Sequence, residues 1–64
     1  MRTKLINWEK EHGYKARFVA RKIGLSDAQW SRIKLGKQAP TLEQAERFQK
    51  EFDIEDVFDL LKEE

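Results

Sequence analysis

The chain has 64 residues, of which 39% are hydrophobic and none is cysteine; this describes one domain near the lower limit of independent folding and excludes disulfides and thiolate metal sites. No apolar run approaches the roughly 20 residues that cross a bilayer, and the start MRTKLINWEKE lacks the apolar segment of a signal peptide, so a soluble cytoplasmic chain without a membrane partner is expected. The formal net charge of +1 conceals a division at Pro40, with ten Lys and Arg against three Asp and Glu before it (+7) and three against nine after it (−6). The first part suits a polyanion and the second does not, although ordinary solvated charge is the plainer reading of the same asymmetry.

A first helix is predicted from Lys4 to about His12, with Thr3 as N-cap, Leu5, Trp8 and Ile6 on its buried side, and Gly13 as its stop. The second spans about 15–23 and carries an apolar stripe of Val19, Ala20 and Ile23. Tyr14 and Phe18 lie off that stripe, four residues apart, and form a small aromatic patch. Gly24 supplies a corner, because without a Cβ it takes the left-handed conformation that redirects the chain. Leu25 then turns inward, and Ser26 with Gln29 has the S-x-x-Q spacing of a capping box opening a third helix over 27–35. Ala20 lets the two helices cross closely. Gly36 ends the third helix and GKQAP forms a loop. Thr41 with Gln44 is a second capping box, opening a fourth helix that buries Leu42, Ala45, Phe48 and Phe52. A short last helix starting at Asp53 or Glu55 carries Val57, Phe58, Leu60 and Leu61. The expected fold is therefore all-α, a small four- or five-helix bundle forming a single domain over 1–64. Trp8, Trp30, Phe48 and Phe52 are the large core residues, each worth roughly 2–3 kcal/mol of burial. Trp30 is read as core rather than as a stacking platform for a base, because it continues the inward set of Val19, Ile23, Leu25 and Ile33.

Two short helices flanking a tight turn are the grammar of a helix-turn-helix. On that grammar, together with S-R-I-K-L-G-K at 31–37, Pro40-Thr41-Leu42 and an I-x-x-V-x-x-L-L ending at 54–61, the chain resembles the lambda-repressor-like helix-turn-helix family, the Cro/cI and Xre-type DNA-binding domains. The resemblance covers nearly the whole chain from about Leu5. It implies four or five helices with the third in the major groove, and a sequence-specific regulator of transcription of the phage or mobile-element repressor type. Three features depart from the family pattern. Ala16 stands where a glutamine often touches phosphate and braces a base-reading side chain, so that only a backbone N–H contact survives there. Many relatives pair an arginine late in helix one with a glutamate at the end of helix three; here Glu9 and Lys34 hold those places with the signs exchanged. A Glu9–Lys34 ion pair is therefore expected, worth about 0–1 kcal/mol if exposed. The last helix is offset by about one residue.

With Trp30 and Ile33 inward, the base-reading candidates on the third helix are Asp27, Ala28, Gln29, Ser31 and Arg32. Arg32 has the planar fork for guanine O6 and N7, with a phosphate as its other target. Ala28 suits a thymine methyl, and Ser31 a base or a phosphate. Asp27 suits cytosine N4, but an acidic residue there also complements the helix macrodipole. Gln29 is divided between adenine and the cap on Ser26. Phosphate candidates are Lys15, Ala16 and Arg17 at the start of helix two, Lys37 and Gln38 after helix three, and Lys34 if Glu9 does not hold it. Phe58, Leu60 and Leu61 are candidates for a homodimer contact, with sealing of the core as their other role. No catalytic residue, metal, cofactor or small-molecule substrate is expected. The lone His12 reads as a solvated residue at a helix end, and no nucleophile or phosphate-loop motif is present. A protein-binding module of antirepressor or antitoxin type, and a DNA-architectural or excision factor, remain as alternatives on the same fold.

Overall fold

The computed structural model describes residues 1–63. Its elements are five helices: α1 (Thr3–His12), α2 (Ala16–Lys22), α3 (Asp27–Leu35), α4 (Leu42–Phe52) and α5 (Val57–Leu60). Both capping boxes form. Ser26 and Gln29 exchange backbone-to-side-chain bonds of 3.1 and 3.0 Å, and Thr41 and Gln44 do the same at 3.0 and 3.1 Å, fixing the starts of α3 and α4 where the sequence places them. Gly24 has φ +77, which lets Leu25 N–H return to Ala20 O at 2.8 Å and tuck its side chain under α2.

Several expectations are corrected. Thr3 is not a cap: Arg2 N–H donates to Lys34 O at 2.8 Å while Arg2 O accepts from Ile6 N–H at 3.1 Å, so the chain is tied to α3 and already helical at Thr3. The second helix is shorter by one residue at each end, because Lys15 is extended (φ −85, ψ 146) and Ile23 is its C-cap. Leu42 is 63% exposed rather than buried; it occupies the first position of α4, and half-buried Pro40 and Gln44 cover that end of the core. The last helix does not begin at Asp53 or Glu55. Asp53 takes the left-handed conformation (φ 51) that ends α4, Ile54 N–H returns to Gln49 O at 3.0 Å, and Asp56 caps α5 by accepting from Asp59 N–H at 3.2 Å.

Leu5, Val19, Ala20, Ile23, Leu25, Trp30, Ile33, Phe48 and Val57 form one buried cluster, with Trp30 and Phe48 each 1% exposed. Trp30 is thus core, edge-on to Phe48 at 5.6 Å. Trp8 and Phe52 form a half-buried second layer, with ring centroids 5.1 and 5.3 Å from Trp8 to Phe48 and Phe52. Tyr14 and Phe18 join that layer, 5.4 Å apart.

Candidate nucleic-acid interface

The inner side of α3 is anchored by three kinds of contact. Trp30 and Ile33 are buried in the core. Trp30 also donates its indole N–H to Glu9 Oε2 at 2.7 Å, and Lys34 donates to Glu9 Oε1 at 2.9 Å. The expected Glu9–Lys34 pair is present, and its side chains are only 11% and 17% exposed. The third contact comes from the residue before α1. Arg2, 6% exposed, donates Nη1 to Ile33 O at 2.6 Å and to Gln38 O at 3.1 Å, and Nε to Leu61 O at 2.9 Å. Its guanidinium thus ties the last turn of α3, at Ile33 O, to the loop that follows at Gln38 O and to the end of α5 at Leu61 O, and a cation at that end of α3 also complements the macrodipole. No spacing rule marks an arginine at position 2 for this role, since its acceptors lie 31 to 59 residues away in sequence.

The outer side of α3 is open. Asp27, Ala28, Ser31 and Arg32 are exposed and Gln29 is half-buried. Two of these side chains have partners within the chain. Gln29 Oε1 accepts from Ser26 N–H at 3.0 Å, so the oxygen that would meet adenine N6 is engaged in the cap. Asp27 pairs with Arg17 at 3.4 Å, both well exposed, which links the first turns of α2 and α3. Arg32 and Lys37 are exposed and enter no ion pair among the described residues.

The phosphate candidates separate in the same way. Lys15, Arg17 and Lys37 are exposed, and Ala16 and Gln38 are half-buried. Gln38 contributes its carbonyl to Arg2 and its N–H to Arg32 O at 3.3 Å. Lys34 leaves the set, because Glu9 holds its ammonium at the core edge. Arg21 and Lys22, which the sequence reading left out, extend the basic surface along α2. Arg47 lies over the turn between α2 and α3: a Cβ on Gly24 would come within 3.0 Å of its Nη1.

The dimer candidates divide. Phe58 is 59% exposed, whereas Leu60 and Leu61 are half-buried against the core and close it beside Val57. His12 is exposed, with Nδ1 2.8 Å from Trp8 O and its ring stacked on Tyr14. No helix among the described residues is long and apolar enough to cross a membrane. Comparison with family models, with curated proteins and with solved structures finds no match.

Proposed function

We propose that the chain is a sequence-specific double-stranded DNA-binding regulator of transcription, a repressor of the phage or mobile-element type, that reads the major groove with α3 as a cytoplasmic homodimer. What carries this reading is the two-sidedness of α3: its back is anchored by Trp30, Ile33, Glu9 and Arg2, while its outer face is polar, exposed and flanked by Lys37 and Arg32, which enter no ion pair among the described residues. A helix held from behind presents its side chains in fixed positions, which base readout requires. Arg32 is the principal reader, with Ser31 and Ala28 beside it. Asp27 and Gln29 position the start of the helix through Arg17 and Ser26. Lys15, Arg17, Lys37 and the backbone N–H of Ala16 are the phosphate contacts. Two copies would read half-sites about one helical turn, roughly 34 Å, apart.

Selection of bound duplexes from a random library tests this, and a palindromic consensus is the expected result. Neutralising about three phosphates per protomer through Lys15, Arg17 and Lys37 gives the dimer a salt slope of magnitude about 5 in a double-logarithmic plot. Arg32→Ala weakens binding by about 1–3 kcal/mol and relaxes one base position, whereas Lys37→Ala weakens all duplexes alike. Absence of any enriched duplex at low salt, or affinity independent of salt, refutes the reading.

A further inference from the structure

The outer face of α2 carries a shallow groove of about 430 Å³ lined by Lys15, Arg17, Phe18, Arg21 and Lys22. Its floor is apolar: Phe18 is 45% exposed, meeting Tyr14 and Phe52 on its inner edge, and the ammonium of Lys22 lies 5.6 Å from the centre of its ring. Its rim is cationic, and among the described residues the one carboxylate paired with it is Asp27, at Arg17. Such a surface fits an apolar anchor carried among carboxylates. Phosphate would use the rim and leave the aromatic floor in water.

This chain carries a surface of that chemistry. Glu51, Asp53, Glu55 and Asp56 are exposed along its acidic end, and Phe58 follows them on α5, 59% exposed where the preceding Val57 is buried. Among the described residues no ion pair joins these carboxylates to the groove of the same chain. The stretch begins beside the groove, since the Phe52 and Phe18 rings are 6.2 Å apart. We infer that the groove receives the Phe58 segment of a second copy, with Arg21 and Lys22 facing its carboxylates. Because groove and stretch are neighbours on one flank, a two-fold axis lets each copy fill the other's groove, giving a closed dimer rather than an open chain. Lys15 and Arg17 at the far end of the groove remain for phosphate. The pairing deepens the dimer of the reading above, but its test uses no DNA, so failure here and failure of duplex binding are told apart.

The test is sedimentation equilibrium of the full chain at submillimolar concentration and low salt, with circular dichroism confirming that each variant is folded. The parent is expected to be a dimer, with a Kd on the order of tens of micromolar because the contact is small and electrostatic. Arg21→Glu with Lys22→Glu in one variant, and Glu51→Lys with Glu55→Lys in another, each weaken self-association at least about tenfold, and mixing the two restores it. Phe58→Ser weakens it similarly without changing charge. A monomeric parent overturns the inference, as does a dimer that none of these variants weakens or a mixture that remains monomeric.

Discussion

Glu9→Ala tests the buried carboxylate that joins α1 to the back of α3. Glu9 accepts from the indole of Trp30, itself 1% exposed, and from the ammonium of Lys34. Removing the carboxylate strands a buried indole N–H and deletes a hydrogen bond to a charged group, about 1.5–3 kcal/mol. The Lys34 contribution is smaller, about 1 kcal/mol, because its stem allows the ammonium to move outward to water. A loss near 3 kcal/mol is therefore expected, well above the 0–1 kcal/mol of an exposed pair. A domain of this size has roughly 3–10 kcal/mol of total stability, so the variant should melt roughly 12–24 °C lower. Urea unfolding followed by tryptophan fluorescence and circular dichroism measures it. Glu9→Gln, which keeps an acceptor for Trp30, should lose about half as much. Glu9→Ala with Lys34→Ala should lose less than the two single losses added, since no cation is then left without its partner. A Glu9→Ala loss below about 0.5 kcal/mol, or strict additivity with Lys34→Ala, would refute the reasoning.

Arg2→Met should cost about 2–4 kcal/mol by denaturant melt, because three backbone carbonyls lose one guanidinium at once. Arg2→Lys should recover only part of that, since an ammonium lacks the planar fork that reaches Ile33 O and Leu61 O together. Ser26→Ala removes the hydroxyl that caps α3 and should cost about 1 kcal/mol in the same melt. Leu42→Ser should change stability by no more than about 0.5 kcal/mol, because that side chain is 63% exposed; a larger loss would return Leu42 to the core face of α4.

What was legible in the sequence was what local chemistry decides. Ser26 with Gln29 and Thr41 with Gln44 announce their helix starts because a capping box lies within four residues and competes with little else. The inward set of Val19, Ile23, Leu25, Trp30 and Ile33 followed from helical spacing and is buried throughout. Leu42 misled because periodicity marks a face without saying where the core beneath it ends. Asp53 suits the opening of a helix, since acidic residues favour first turns, yet it closes α4 in a conformation that aspartate tolerates more readily than most residues. Arg2 is, by sequence, only one of the ten cations before Pro40, and its burial depends on three carbonyls that only the folded chain brings together. Glu9 and Lys34 were paired through a family resemblance, while the burial of the pair and its bond to Trp30 belong to the tertiary structure.

The anchors of α3 and its outward face are different residues, so stability and recognition should separate in variants. Arg2 and Glu9 approach from the end and the back of the helix, whereas Arg32 and Ser31 are exposed. Arg32→Ala should leave the melting temperature within about 2–4 °C of the parent, a surface change of no more than about 0.5 kcal/mol, while lowering affinity for a selected duplex. Arg2→Met should lower the melting temperature, but below its own transition the folded fraction should bind that duplex as the parent does. Measuring both quantities on both variants therefore bears on the mechanism more directly than either measurement alone. If Arg2→Met remained fully folded yet lost affinity as Arg32→Ala does, its guanidinium would be setting the pose of α3 rather than only its stability, and the division between anchor and reader would fail.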